Sequence, residues 1–455
     1  HYEKFQDGTV KCIEDEIPFE LPEGWSWTRL GSLFSTITGS TPSTKDASLY
    51  GDEYPFYKPT DLDAGFDVCV SEDTVSEKGY KNGRILPMYS VLVTCIGATI
   101  GKTGYIKNSG ICNQQINAIL PNTFILPEYT YFCMCSEFEQ QQIWTNSSAT
   151  TLPILNKSKF DILFFPVPPK AQQTRTVERI KELLHFVEII QQEKRTLQET
   201  IKLTKSKILD LAIRGKLVPQ DPNDEPASVL LERIRSEKEE LIKQGKIKRD
   251  KKESVIFKGD DNSYYLRTGG VEESLENWRF DDLPETWKIC CLGELCDYGD
   301  CINVNTEDIA EDAWILDLED IEKDTGMVLK KVTKAQRNSV STKHKFHSGQ
   351  VLYSKLRPYL NKVVLSDADG YCTSEILPLE FKNCVLPEYA RYYLMSGTFI
   401  TYANHCSYGV KMPRLGTTDG KKAIFSLPPL SEQKCIVETI DFCFMQLNKI
   451  SEALA

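Results

Sequence analysis

The chain has 455 residues, 41% of them hydrophobic, and a formal net charge of −11. That length allows two to four domains of ordinary size, and no run of about 18 apolar residues is available to cross a membrane as a helix. Net acidity argues against a nucleic-acid partner for the chain as a whole, but binding depends on local fields, and the charge is unevenly spread.

The first residue is His1 rather than methionine and no secretory leader pattern opens the sequence, so a processed or partial chain is expected. Leu21-Pro22-Glu23-Gly24-Trp25 comes first, followed by Leu30, Gly31 and Leu33. Short apolar runs such as 90–95, punctuated by Gly, Pro and Asn, then read as strands of a sheet-containing domain. Residues 80–107 hold no acid and carry Lys81, Arg84, Lys102 and Lys107. Within them, Gly97-Ala98-Thr99-Ile100-Gly101-Lys102-Thr103 looks like a phosphate-binding loop. It has three residues between its glycines where that loop needs four, so nucleotide hydrolysis is set aside. After Leu126-Pro127-Glu128-Tyr129, Pro168-Pro169 marks a helix start, because proline suits a first turn and little later. Val177, Ile180, Leu184 and Val187, then Leu197 and Ile201 after a slip, follow the spacing of a coiled-coil seam. Gly215 is a C-terminal glycine for this helix. Pro219, Pro222 and Pro226 bar a helix interior, a second polar helix is expected over 227–245, and 246–252 reads as a basic linker.

The landmarks then recur. Leu283-Pro284-Glu285-Thr286-Trp287, with Leu292, Gly293 and Leu295, repeats the opening 262 positions on. Val351-Leu352, Lys362, Cys372, Leu386-Pro387-Glu388-Tyr389 and Pro428-Pro429 with Gln433, Val437, Glu438 and Ile440 repeat their counterparts 260 positions on. Residues 19–22 also resemble the approach to the second opening, 280–284. The chain is a tandem duplication with a unit of about 260 residues. Residues 38–56 and 300–314 share little, and common ends with divergent middles suit two related domains that hold different targets. In the second copy acids dominate 297–324, whereas 330–362 holds nine Lys or Arg and no acid. The second helix carries Val437, Ile440, Phe444 and Leu447 on its seam and is shorter than the first. The expected division is 1–168, first globular domain with its lead-in; 169–262, helical region; 263–428, second globular domain; and 429–455, second helix.

No catalytic constellation emerges. The fifteen cysteines include no Cys-x-x-Cys pair and read as reduced thiols. A DNA methyltransferase would need a glycine-rich cofactor loop and an Asn/Asp-Pro-Pro-aromatic motif, and neither is present. The five histidines lack zinc-ligand spacing, and His344 and His347 suit a surface or phosphate contact.

Over nearly its whole length the chain resembles the specificity subunit, HsdS, of type I restriction–modification systems. The segments that carry the resemblance most specifically are the Leu-Pro-Glu-x-Trp openings, Leu427-Pro428-Pro429-Leu430-Ser431-Glu432-Gln433, and the Ala-Ile-Arg-Gly-Lys-Leu-Val-Pro-Gln-Asp-Pro-Asn-Asp-Glu-Pro-Ala of 212–227. The resemblance implies an α+β fold: two globular sheet-containing target-recognition domains in tandem, separated by two long helices forming an antiparallel coiled coil. It also implies double-stranded DNA as a partner, read as a bipartite asymmetric site. Further implied partners are two methyltransferase (M) subunits, which carry S-adenosylmethionine, and restriction (R) subunits in the full complex. It implies no catalytic centre, cofactor or metal of the chain's own, and a cytoplasmic, membrane-free setting. The alternative is a stand-alone DNA-binding or scaffold protein using the same domains.

A helix of about 40 residues spans ~60 Å, enough to set two reading heads about one DNA turn apart. Lys102 and Lys362, at equivalent positions, are expected to anchor phosphates. Gln114, Gln115 and Asn117 suit adenine, and Arg357 suits guanine. Arg84, Lys343, Lys345, Lys355, Lys411 and Arg414 complete the expected DNA-binding set.

Overall fold

The computed structural model describes residues 1–5, 7–148, 152–246, 254–261, 263–275, 283–337 and 341–454. Of the expected basic linker only Lys246 is among them, and Phe280 in the approach to the second opening also lies outside. The chain forms two compact units, His1–Gln191 and Gln192–Ala455. The boundary between these units falls inside the first long helix, Lys170–Ala212. The reason is packing: Val177 belongs to the first unit's core, whereas Leu209, Ala212 and Ile213 belong to the second's.

In the first unit the strand that opens the domain, Ser26–Arg29, pairs antiparallel with the strand that closes it, Phe164–Val167. Between them lies a four-stranded sheet in the order Thr36–Thr38, Ile116–Ile119, Val91–Thr94, Thr103–Tyr105. All four residues of Val91–Thr94 are buried, which is why this strand reads as a continuous apolar run without alternation. A smaller sheet joins Asp73–Val75, Tyr50–Tyr57 and Ile111–Cys112. The helix Pro127–Met134 starts on its proline, and Glu137–Asn146 starts where the Ser136 side chain accepts from the Glu139 backbone.

The second unit repeats this frame. Lys288–Cys291 pairs with Ile424–Leu427, and Pro387–Leu394 and Gly397–His405 follow the same order. Its sheets run Val363–Leu365, Val351–Ser354, Ile376–Leu379 and Ile302–Val304, Lys343–Phe346, Gly370–Thr373, Trp314–Leu316, Val332–Thr333. A meander, Ser254–Lys258, Tyr264–Thr268 and Val271–Ser274, packs Ile256 and Leu266 on Ile289 and Ile424. The hairpin Tyr2–Lys4 with Val10–Cys12 stands 262 positions before the last two of these strands.

The most exact repetition is a buried glutamine. Gln173 accepts a hydrogen bond from the Leu126 backbone N–H at 2.8 Å and donates to the Pro168 carbonyl at 3.0 Å. Gln433 accepts from Leu386 N–H at 2.8 Å and donates to Pro428 at 3.0 Å and to Cys384 at 2.9 Å. Each glutamine fastens the first turn of a long helix to the globular domain it leaves.

The helices depart from the expected seam in one respect. Val177 completes the first domain's core, whereas Val437 and Ile440 share one buried cluster with Leu209 and Ala212 of the first long helix and with the second domain's core. Ile180 and Leu447 are half-buried, and Leu184, Val187 and Leu197 are 48%, 49% and 40% exposed. The coiled-coil pairing lies in the second unit. There Ile201 is buried, and Lys205 Nζ donates to Asn448 Oδ1 at 2.6 Å and stands over the Phe444 ring. Ser426 donates to the Ile213 carbonyl at 2.7 Å. Position 205 therefore meets 448 while 213 meets 426, so Lys170–Ala212 and Leu430–Ala453 run antiparallel there. The first ends as expected, with Gly215 at φ +65. The second polar helix is Ala227–Lys243. No helix of the described residues is long and apolar enough to cross a membrane.

Candidate nucleic-acid interface

In each domain the end of one central strand opens into a loop held by two other segments, and the two loops share a backbone pattern 260 positions apart. Bridges join Ile96 to Ile154 and Ser148 to Ile154 in the first domain, and Leu356 to Arg414 and Tyr408 to Arg414 in the second. Gly97 N–H donates to the Pro153 carbonyl at 3.0 Å, and Arg357 N–H to Pro413 at 2.7 Å. Cys95 and Lys355 N–H donate to the Gln115 and Glu375 carbonyls at 2.7 and 3.0 Å. Even the left-handed positions coincide: Gly97 (φ +102) and Gly101 (+88) correspond to Arg357 (+50) and Asn361 (+49). The glycines that imitate a phosphate-binding loop are thus there for turn geometry, which glycine adopts without a Cβ clash.

On this shared frame the side chains differ. Gln115 stands where the second domain has Glu375, and Ile154 where it has Arg414. Arg414 lays its guanidinium on Glu375, Nε at 3.1 Å from both carboxylate oxygens and Nη2 at 2.7 Å from one. The Arg357 guanidinium has no hydrogen-bond or ion-pair partner among the described residues, and its Nε is out of reach of solvent. Lys355 is half-buried, Lys411 and Lys345 are exposed, and none has a carboxylate partner among the described residues.

Several expected contacts lie elsewhere. Asn117 is 1% exposed, accepts from Thr38 Oγ1 at 2.6 Å and turns its amide nitrogen toward Leu155 O, so it serves the sheet and cannot reach a base. Lys343 is equally interior, 3.1 Å from Ser341 Oγ and 3.9 Å from Asp317. Lys102 pairs with Asp63 at 2.6 Å, and Lys362 donates to the Leu318 carbonyl at 2.6 Å. Each thereby ties its strand to a short 3-10 turn, Asp61–Asp67 or Leu318–Asp320. The two lysines are equivalent in that each is engaged within its own domain. Arg84 donates to the Thr38 carbonyl at 2.6 Å and remains exposed, as does Gln114, which accepts from Thr41.

The basic run of 330–362 is also largely spent within the domain. Arg337 contacts Asp317 at 2.7 Å, Glu319 at 3.1 Å and the fully buried Asp320; Lys331 pairs with Asp367 at 2.7 Å and Lys334 with Glu311 at 3.0 Å. The acid-rich and acid-free runs seen in the sequence neutralise each other in space. His344 is buried with Nδ1 donating to the Ile376 carbonyl at 2.8 Å, and burial holds its pKa below the ordinary value, so it is a neutral core residue and not a phosphate contact. His347 is exposed and its pKa is raised, first by its hydrogen bond to the Ser348 carbonyl and then by Glu380. Among the described residues one group, the exposed His1, Glu14 and Glu20, brings metal-ligand atoms together.

Sequence reasoning missed Glu375, Tyr359 and Tyr408. The signal available was position: each borders the loop that the 260-residue repeat marks, and the two tyrosines are 50% and 62% exposed.

The family of type I restriction modification DNA specificity domains matches residues 22–199 and 284–453, and the chain belongs to it. Among curated proteins it is similar to the type I restriction enzyme EcoDI specificity subunit of Escherichia coli, 22% identical over 95% of this chain and 84% of that one. The EcoAI specificity subunit of Escherichia coli is 24% identical over 98% of this chain and 82% of its own length. Two solved structures share the fold at 16% identity. One comes from work on complex assembly and conformational transition of the type I R-M system, with a TM-score of 0.60 over 96% of this chain and 94% of that one. The other is the HsdS subunit from Thermoanaerobacter tengcongensis, with a TM-score of 0.53 over 97% and 94%.

Proposed function

We propose that the chain reads a bipartite, asymmetric site on double-stranded DNA, one half with each globular domain, and carries no chemistry of its own. The observation that carries this reading is the repeated frame. Two loops with matching backbone bonds bear different side chains, and each belongs to a domain fastened to its own long helix by Gln173 or Gln433. A duplicated scaffold with exchanged surface chemistry suits two related but unequal half-sites. The free cations at the second loop, Lys355, Arg357 and Lys411, supply the field that a phosphate backbone needs. The first long helix exposes Leu183, Leu184, Phe186, Val187, Ile189 and Ile190. A contiguous apolar stretch of that kind suits packing against partner protein, and the reading assigns it to the two modification subunits, with restriction subunits joining the full cytoplasmic complex. Methylome sequencing of cells with and without the gene tests the proposal. A split motif with two dissimilar halves, lost with the gene, is the expected result. A continuous or palindromic motif would contradict it.

A further inference from the structure

Twelve side chains entered as DNA contacts, and the geometry singles out one as a base reader. We propose that Arg357 is the guanine-reading side chain of the second domain, and that Arg414 and Glu375 are the positioning pair that holds its loop. The inference rests on the proposed reading of a bipartite DNA site and deepens it.

Three observations converge. First, Arg357 sits at φ +50, a left-handed conformation that an L side chain adopts at a cost and that glycine adopts freely. The first domain does have glycine there, Gly97 at φ +102. A bulky residue kept where glycine fits better needs a reason outside the fold, and a ligand contact is the usual one. Second, its guanidinium has no internal partner among the described residues, whereas Arg337 and Arg414 are each spent on carboxylates and Arg391 on the Thr325 carbonyl. Third, the loop is pinned by hydrogen bonds along its length. Arg357 N–H is bonded to Pro413 O, Ser354 Oγ to Leu356 O at 2.9 Å, Leu360 N–H to Arg357 O at 2.9 Å, and Arg414, bridged to Leu356, is locked on Glu375. A fork held on a pinned loop loses little freedom on binding, which is what a bidentate contact requires. Arginine's planar fork matches the O6 and N7 acceptors that guanine shows in the major groove.

The first domain presents a different side chain on the same frame. With no side chain at Gly97, Gln115 Nε2 lies 3.9 Å from where a Cβ at that position would stand. Its Oε1 accepts from Asn113 at 2.9 Å. A neutral amide there and a guanidinium in the second domain give the two halves different base preferences.

The test uses the full chain in its assembled modification complex, with duplexes built on the methylated motif. In Arg357→Gly, preference for one G·C pair of the second half-site should fall roughly 5- to 150-fold, the span of one bidentate base contact. The thermal midpoint should hold or rise, because the backbone strain is relieved. Replacing that guanine by 7-deazaguanine should weaken the parent complex and leave the variant unaffected. Glu375→Gln should lose discrimination at the same base pair only. If the glycine variant fails to fold, Arg357→Asn repeats the measurement, since asparagine also accepts left-handed backbone. Equal weakening on all sequences, a change confined to the first half-site, or unchanged discrimination would each overturn the proposal. Failure of the parent reading is seen separately: the unsubstituted complex would then show no sequence preference at all, which sinks both.

Discussion

Replacing Gln433 with methionine probes the joint between the second domain and its helix. Gln433 is fully buried and serves three backbone groups, accepting from Leu386 N–H and donating to the Cys384 and Pro428 carbonyls, at 2.8 to 3.0 Å. Methionine keeps about the same volume, so cavity terms stay small. It leaves one donor and two acceptors without partners inside the protein, each costing about 1–3 kcal/mol when water cannot replace the lost bond. Partial relaxation brings the sum to on the order of 3–5 kcal/mol. Urea unfolding of the full chain, followed by a probe in each unit, measures it; the two units need not unfold in one transition. The loss is expected in the second unit alone, and Gln173→Met is expected to act likewise on the first. A loss below about 1 kcal/mol in both would refute the reasoning, because the three backbone groups would then have other partners.

Two further outcomes follow from the charges. Burial pushes the Glu139 carboxyl well above its ordinary range despite its bonds to Cys133 and Gln142. A raised carboxyl pKa means that the folded state holds the proton longer, so this group's contribution is best below pH ~4.5 and worsens as pH rises toward its folded pKa. Glu139→Gln should therefore flatten that decline and stabilise the first unit at neutral pH; a stability loss at pH 7 with an unchanged pH profile would contradict this. Lys102→Ala and Lys362→Ala should leave the salt dependence of DNA binding unchanged, because both nitrogens are engaged inside the domains, whereas Lys411→Ala should shallow the slope by ~0.9 if it meets one phosphate. A slope change in the first two and none in the third would reverse that assignment.

The duplication was legible because backbone roles demand particular side chains. Gln173 and Gln433 have the same donor and acceptor tasks, and Tyr129 and Tyr389 hydroxyls donate to the Pro166 and Ser426 carbonyls, both at 3.0 Å. The landmarks that hold the joint could not drift. The interface was less legible, because a run of basic residues says nothing about acids that approach from other strands. Asp317 and Asp320 reach Arg337, and Asp367 reaches Lys331, only once the sheet is assembled. The seam was legible only in part: apolar residues spaced three and four apart face one side of a helix whether that side meets another helix, as at Val437 and Ile440, or the domain at its base, as at Val177. Arg357 was suggested by residue type, but its left-handed backbone was not, since neither arginine nor Asn361 announces that conformation as glycine does.

The central claim is that the two domains read independently. The most direct measurement exchanges residues 21–168 for the corresponding domain of another family member and sequences the methylome of cells carrying the hybrid. The account predicts a motif in which one half is replaced and the other half, with its guanine, is retained. A motif changed in both halves together, with folding and assembly intact, would contradict it.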